Sequence, residues 1–341
     1  MDNEEKIIPQ GAITPVVKPT DFEFGGMSGI KKTILFENGC LVNIPVFESQ
    51  VGVYFDDYGC VSRSFANAIE ILLDRMIELG LLSDGHINWL RNNGYMIVNR
   101  VRLSNRWLVV RSGTDPNFGN RGDIVAGYAR HFGLAPLLLC DWNMGDRDPS
   151  VNNKEAYYNA ATINPKADEV AAIFAKLFDI QYEWVSVPDF EEASKEGVIQ
   201  VYTKAWYRLP NGKYYNPVPG SSGHAIDFGQ YSTISIIDQY DPQVKEMSKM
   251  EDFYPLGLKI NISQKNMIKP TIANNTLIQL VSAPGGFGLY LDGNIIVDDL
   301  EKVLASFMVR NNGNTGGKVM PLVMEQWEMF PKVNLKLEPI Q

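Results

Sequence analysis

Three residues that lie far apart in the sequence have side chains that could together form a nucleophilic site. Cys60 begins an amphipathic run, His224 lies in a β-rich segment, and Asp238 follows one strand later. A thiolate is the attacking form of cysteine, and the partial positive charge of a helix N-terminus lowers the pKa of a thiol. A neighbouring imidazole completes the activation, and a carboxylate can orient that imidazole. The three residue types therefore predict a cysteine nucleophile, its base and the orienter of the base.

The element that must carry Cys60 is a long amphipathic helix. Apolar residues follow Cys60 at three-four spacing, and Gly80 supplies a stop signal. These apolar residues are Val61, Phe65, Ala68, Ile69, Leu72, Leu73, Met76 and Leu79. The histidine and the carboxylate belong instead to a segment that turns β-rich from Gln200 onward. Because helices come first and strands later, the sequence predicts an α+β fold.

Shorter patterns predict the elements around this framework. Turn signals between apolar runs predict a hairpin over residues 34–46, around Glu37-Asn38-Gly39, and a second over 289–296, around Asp292-Gly293. A short β-like run covers residues 95–98. Helical spacing is found over residues 123–131, 154–177 and 298–309.

The composition changes along the chain in a way that predicts three parts. Residues 1–22 mix prolines, charges and short apolar pieces, which is typical of an extended arm with little apolar surface of its own. We expect such an arm to contact neighbouring chains. Residues 23–250 are predicted to form the main domain, and residues 251–341 a C-terminal extension that contains β structure.

Composition and charge exclude several classes of protein. The chain has 341 residues, 31 basic and 40 acidic side chains and no basic run, so no nucleic-acid partner is expected. No apolar stretch approaches the ~20 residues needed to span a bilayer, and the acidic start is unlike a signal peptide, so neither a membrane nor Sec-type export is expected. Three scattered cysteines predict no disulfide framework and no metal site, and no cofactor is implied. A reducing compartment is the simplest setting.

With these residues in view, the chain resembles a papain-like cysteine peptidase, especially the divergent members found in bacteriophage genomes. The resemblance runs roughly over residues 50–242. It implies a two-lobed fold in which Cys60 begins the long central helix of the left domain and His224 lies in the β-rich right domain, with the active site between them. Asp238 stands where the family usually has an asparagine, and an aromatic residue still follows it, so the resemblance assigns Asp238 to orienting the base. Asp241 is the fallback carboxylate.

The resemblance also implies a substrate-binding wall and an oxyanion hole. The glycine-rich wall of the family corresponds to the segment that contains Gly113, Gly119 and Asn120, which are the substrate-binding candidates. Family members carry an oxyanion-hole glutamine a few residues before the cysteine. Tyr54 holds that place here, and Gln50 is the nearest glutamine and the oxyanion candidate. The backbone amide of Cys60 could supply one donor.

Three functions remain open from the sequence. The first is a cysteine peptidase that cleaves peptide or isopeptide bonds, encoded by a phage and associated with its virion. The second is a catalytically weak or inactive structural protein of a virion, which would contact other virion proteins. The third is a cell-wall amide hydrolase. The protein is expected in the host cytoplasm and to be incorporated into the virion. The other cysteines, Cys40 and Cys140, are predicted to be core residues.

Overall fold

The computed structural model describes residues 11–17, 24, 33–204 and 206–265 with their side chains, and three further strands as backbone. The chain divides into two compact units, Met1–Lys265 and Asn266–Gln341. The first unit contains every candidate site residue.

In the described part of the first unit, most of the helices come before the long strands in the sequence. The helices are α1 Cys60–Glu78, α2 Asp84–Asn92, α3 Asn105–Arg111, α4 Gly122–Phe132, α5 Lys154–Tyr158, α6 Pro165–Leu177 and α7 Phe190–Glu196. The strands are β1 Met96–Ile97, β2 Arg100–Val101, β3 Phe178–Ser186, β4 Val198–Thr203, β5 Tyr207–Arg208, β6 Tyr214–Tyr215, β7 His224–Gln230, β8 Ser235–Ile237, β9 Val244–Glu246 and β10 Leu256–Gln264. The predicted α+β class is confirmed.

An antiparallel sheet of six strands forms the centre of this unit, in the order β3-β10-β4-β7-β8-β9. Helix α1 packs against β4, β7 and β10. Its apolar side chains join those of the sheet and of α4 and α6 in one core, because an amphipathic helix is stabilised mainly by burying its apolar face. None of the helices in the residues that the structure describes is long and apolar enough to cross a membrane.

The first turn of α1 is held from both sides by buried polar groups. Asp57 accepts a hydrogen bond from the Gly59 N–H at 2.8 Å and pairs with Arg63, whose Nε lies 2.9 Å from the carboxylate. On the sheet side, Nε2 of Gln200 in β4 donates to the Val61 carbonyl at 2.9 Å and to Oγ of Ser64 at 2.6 Å. These contacts fix where the helix begins relative to the sheet.

The sequence predicts α1 to within one residue but is wrong about the segment before it. Residues 34–46 form no hairpin, and Cys40–Asn43 form a 3-10 turn. The segment packs on other elements instead of on itself. The backbone N–H groups of Leu35 and Phe36 both donate to the Lys195 carbonyl, and the Cys40 thiol donates to the Phe228 carbonyl of β7. Non-local contacts therefore override the local turn signal.

Two other helical and β-like patterns differ in detail from the structure. The predicted helix over residues 154–177 is two helices, α5 and α6, because Asn153 and Asn164 each cap a separate start and Pro165 occupies the first position of α6. The β-like run at 95–98 contributes only β1, which pairs with β2. Helix α4 extends one residue beyond each end of the predicted 123–131.

The division between the two units lies after Lys265, later than the expected residue 250. Strand β10 accounts for the difference, because it pairs with β3 on one side and with β4 on the other and so belongs inside the central sheet.

The second unit is described through three strands, β11 Ile278–Ala283, β12 Gly286–Leu291 and β13 Asn294–Val297. Strands β12 and β13 pair antiparallel with Leu291 opposite Asn294, which confirms the hairpin predicted around residues 292–293. The helix predicted over 298–309 lies outside the described residues.

We expect Asp57→Ala to lower the free energy of unfolding by about 3–5 kcal/mol, because it leaves the Arg63 guanidinium buried and without its closest carboxylate. Equilibrium denaturation in urea measures the change. Glu37→Ala, at an exposed carboxylate, is the matched control and should change stability by no more than about 0.5 kcal/mol. A loss below about 1 kcal/mol for Asp57→Ala would show that the pair does not anchor α1.

Candidate active site

Cys60 is the first residue of α1, and its thiol is fully buried. The approach to the helix is tight, since a Cβ on Gly59 would lie 2.6 Å from Cγ2 of Val109. The first backbone N–H groups of a helix have no partner within it, so Cys60 lies at the positive end of the α1 dipole. The helix therefore presents both a thiol and a backbone amide at one point.

His224 begins β7 and lies opposite Thr203 of β4. Its ring is enclosed by two aromatic side chains, Trp206 at a centroid distance of 5.2 Å and Tyr240 at 5.1 Å, both in edge-to-face geometry. Nε2 of His224 lies 2.8 Å from Oδ1 of Asp238. Nδ1 is buried and has no hydrogen-bond partner among the described residues, which leaves it as the ring nitrogen that a thiol could use.

Asp238 follows β8 directly and is brought back to His224 by the antiparallel pairing of β7 with β8. Burial alone would raise the pKa of the Asp238 carboxyl, but His224 and then Lys245 outweigh this effect and hold the pKa below its usual value. The carboxylate is therefore ionised and can accept a hydrogen bond from Nε2–H. The fallback residue, Asp241, is not the partner of the ring.

The thiol contacts the residue that follows His224 in the chain. Sγ of Cys60 accepts a hydrogen bond from the Ala225 N–H at 3.4 Å, and Ala225 is the residue next to His224. Burial raises the pKa of the Cys60 thiol well above its ordinary value, although the Ala225 N–H opposes this effect. The structure thus brings Cys60, His224 and Asp238 to one place, with the thiol in its neutral form.

The oxyanion candidate, Gln50, lies beside the same site. It is fully buried, its backbone N–H donates to the Gln239 carbonyl at 3.2 Å, and its Nε2 donates to Oδ1 of Asp56 at 2.7 Å. Asp56 also accepts from the hydroxyl of Tyr240, which packs on the His224 ring. Tyr54, which stands at the family's glutamine position in the sequence, is exposed and its hydroxyl donates to the Arg147 carbonyl.

Two of the three substrate-binding candidates lie at the edge of the site. Gly119 and Asn120 follow α3 and approach residues 11–13 closely, since a Cβ on Gly119 would lie 1.8 Å from the Gly11 carbonyl oxygen. Gly113 ends α3 and has open space where a Cβ would be, so the structure does not bring it into contact with this segment.

Residues 11–14, which we call the cleft segment, bridge the two sides of the site. The Ala12 N–H donates to the Gly223 carbonyl at 2.9 Å, directly before His224. On the opposite side the Ile13 N–H donates to the Asn120 carbonyl at 2.8 Å, and the Asn120 N–H donates to the Gly11 carbonyl at 2.9 Å. The pairing of Ala12 with Asn120 is parallel. This part of the predicted arm binds its own chain, and the expected contact of the arm with neighbouring chains stays a prediction.

The sequence did not reveal several residues that surround the site. The ring of Trp206 packs edge-to-face with that of His224. Lys245, seven residues after Asp238, donates to Oδ2 of Asp238 at 2.6 Å and is fully buried. In the structure Lys245 lies between two less buried residues of a short strand, and the alternation of side chains along a strand places it on the inner face.

Comparison with known proteins gives structural likenesses only. No protein-family model matches the sequence, and no curated protein sequence matches it significantly. The chain is similar to xylellain, a cysteine protease from Xylella fastidiosa, at 13% identity and a TM-score of 0.48, over 76% of this chain and 98% of that one. It is similar to proCathepsin B S9 from Trypanosoma congolense at 12% identity and a TM-score of 0.45, over 76% and 87%. It is also similar to a recombinant stem bromelain precursor at 13% identity and a TM-score of 0.42, over 76% and 77%. At this level of similarity, the roles of the residues rest on the contacts within the site.

We expect Gly11→Ala to expose the thiol. Gly11 has a φ of +119°, and a Cβ there would lie 2.4 Å from the Tyr58 carbonyl oxygen, so the substitution forces the cleft segment away. Alkylation of Cys60 by iodoacetamide, followed by peptide mass spectrometry, should become about tenfold faster or more at neutral pH, because access to water lowers the cost of forming the thiolate.

Gly212→Ala is the matched control. Its φ of +85° imposes a similar backbone strain, but nothing lies within 4 Å of the added Cβ. Equal alkylation rates for the Gly11→Ala and Gly212→Ala variants would show that the cleft segment does not cover the thiol.

Proposed function

We propose that this chain is a papain-like cysteine peptidase in which Cys60 is the nucleophile, His224 its general base and acid, and Asp238 the residue that orients His224. One observation carries the proposal: Asp238 engages Nε2 of His224, which leaves Nδ1 unpartnered among the described residues, while the next residue, Ala225, hydrogen-bonds Sγ of Cys60. An imidazole with one nitrogen held by a carboxylate and the other open to a thiol is what nucleophilic catalysis by cysteine requires.

In the acylation step, Nδ1 of His224 takes the proton of the Cys60 thiol, and the thiolate attacks the carbonyl carbon of the peptide bond. The negative charge that develops on the carbonyl oxygen is stabilised by the backbone N–H of Cys60 at the start of α1, with Gln50 as the candidate second donor. The imidazolium then gives its proton to the leaving amine. The C–N bond breaks, and the acyl group stays on sulfur as a thioester.

In the deacylation step, neutral His224 takes a proton from a water molecule, whose oxygen attacks the thioester carbonyl. The C–S bond breaks, the imidazolium returns its proton to the departing sulfur, and the acid product leaves with the thiol restored. Asp238 stays ionised through both steps, because it accepts the Nε2–H and stabilises the imidazolium without becoming protonated itself.

The cleft segment would affect how this enzyme binds a substrate. It hydrogen-bonds through its backbone to Asn120 on one side of the site and to Gly223 on the other, and these are positions at which an extended peptide could bind. We infer that the segment occupies the cleft in the form described here and must leave before a substrate can bind. Gly11→Ala therefore supplies the open form in the full-length chain.

The other two functions differ from this proposal in substrate or in activity. A cell-wall amide hydrolase would use the same Cys60 and His224 on peptidoglycan, and a structural protein would need neither. The proposed association with a bacteriophage virion and the host-cytoplasm location stay predictions.

The test measures hydrolysis of a fluorogenic peptide library, a labelled unfolded protein and purified peptidoglycan by the full-length Gly11→Ala variant. We expect peptide hydrolysis, with Cys60→Ala and His224→Ala in this background each lowering kcat/KM by about 10³-fold or more. Asp238→Ala should cost less, because Asp238 orients the base without bonding to the substrate.

Cys140→Ala is the matched control, since this thiol is buried outside the site and its substitution should leave hydrolysis unchanged. Hydrolysis of peptidoglycan alone would favour the amide hydrolase. Turnover that survives Cys60→Ala would reject the proposed nucleophile, and no turnover of any substrate together with an unreactive thiol in the Gly11→Ala variant would favour the structural protein.

A further inference from the structure

Lys245 is a buried cation next to the site formed by Cys60, His224 and Asp238, through its contact with Asp238. It lies on β9, which pairs with β8, and the register places Lys245 opposite Ile236. Both the lysine and Asp238 have fully buried side chains. A buried ammonium is costly unless it is paired and hydrogen-bonded, so its partners indicate what it does.

All three hydrogen bonds of the ammonium go to the segment that carries the orienter. Nζ lies 2.6 Å from Oδ2 of Asp238, 2.6 Å from the Tyr240 carbonyl and 2.6 Å from the Pro242 carbonyl. An ammonium has three donors, and here each has an acceptor. Oδ1 of the same carboxylate bonds His224, so Asp238 is held between the lysine and the histidine.

Aromatic side chains shield the pair of Asp238 and Lys245 from water. Nζ lies 5.8 Å from the centroid of Trp206 and 5.7 Å from that of Tyr214, and Trp206 also packs on the His224 ring. Charges in such a place are weakly screened, so each one strongly affects its neighbours.

We propose that Lys245 is a positioning residue that neutralises Asp238 and fixes its carboxylate plane, so that His224 meets a carboxylate whose charge is balanced. The inference rests on the proposed function, since it assigns His224 to catalysis. A carboxylate without the lysine would favour the imidazolium more strongly. The lysine without the carboxylate would disfavour it. The balance of the two leaves the ring free to accept and return a proton.

Other ionisable groups face the site from the elements packed around it. Cys60 approaches from α1, Asp56 from the segment before α1, and Tyr240 from the loop after β8. Asp227 approaches from β7, and both of its carboxylate oxygens are without a hydrogen-bond partner among the described residues. Burial, with Asp238 as a second cause, raises the pKa of Asp227 well above its usual value, which favours its neutral form. Among these groups, Asp238 bonds the ring directly and Lys245 bonds Asp238.

The experiment follows the ring of His224 by imidazole ¹⁵N NMR as a function of pH in the full-length chain. The sequence has only three histidines, so His86 and His131 serve as internal references, and the loss of one signal in His224→Gln assigns the third. The variants are Lys245→Met, Asp238→Asn and the double variant Asp238→Asn/Lys245→Met. Lys245→Gln is the second neutral replacement in case the methionine variant does not fold.

We expect the titration midpoint of the His224 ring to rise by about one pH unit or more in Lys245→Met, because the imidazolium then faces an unbalanced anion. Asp238→Asn should lower the midpoint by a similar amount, because the lysine cation is left unbalanced. The double variant again has no net charge and should return to within about 0.5 of the original midpoint. A lysine that served only to support the fold would not produce this ordered set of shifts.

Midpoints in Lys245→Met and Lys245→Gln that stay within about 0.3 of the original would overturn the inference. If neither Lys245→Met nor Lys245→Gln folds, Asp238→Asn and the double variant decide, since they differ only at Lys245 and should differ by about one unit. The readout needs no turnover. Ordered midpoint shifts without peptide hydrolysis would reject the peptidase proposal alone, while hydrolysis with unmoved midpoints would reject the role of Lys245 alone.

Discussion

The buried pairing of Asp57 with Arg63 is the constraint on which the rest of the site depends. It fixes the turn before Cys60, and the hydroxyl of Tyr157 also donates to Asp57 at 2.8 Å, which ties this turn to the helical side of the unit. Gln200 fixes the other side by bonding the first turn of α1 to the sheet. Since β7 belongs to the same sheet, the start of α1 and His224 are held in one rigid frame. Small errors in that frame would be costly, because nucleophilic catalysis depends on sub-ångström placement of its groups.

The proposed function requires two states of the site, one closed and one open. In the form described here the cleft segment bridges the two sides of the site and the thiol is buried, which raises the pKa of Cys60. The segment binds through backbone hydrogen bonds to Asn120 and Gly223, each of which contributes about 0.5–1.5 kcal/mol. A few such bonds hold the segment only moderately, so a peptide that makes equivalent bonds and fills side-chain pockets can compete with it. When the segment leaves, water reaches the helix N-terminus, and the dipole of α1 can act on the thiolate.

The sequence predicted those parts of the structure that depend on local pattern. The three-four spacing after Cys60 located α1, and the closeness of His224 and Asp238 in the chain allowed a short antiparallel connection to bring them together. It could not predict the path of residues 34–46, since these pack on β7 and on the carbonyl of Lys195. It could not place β10 inside the sheet, because strand order is set by long-range pairing. The contacts of the cleft segment were hidden because they are made by backbone groups, which side-chain patterns do not report.

Asp238 and Lys245 together place a neutral unit beside His224, as a single amide side chain would. The pair is costlier to bury, because two ions must leave water and only excellent geometry repays that cost. Here the ammonium meets that requirement with three acceptors and the carboxylate with both of its oxygens engaged. Rotation of the carboxylate group is restricted, because its two oxygens are held by different partners. Asp238 and Lys245 are therefore best understood as one unit, and a change at either position alters the charge that the base experiences unless the other changes with it.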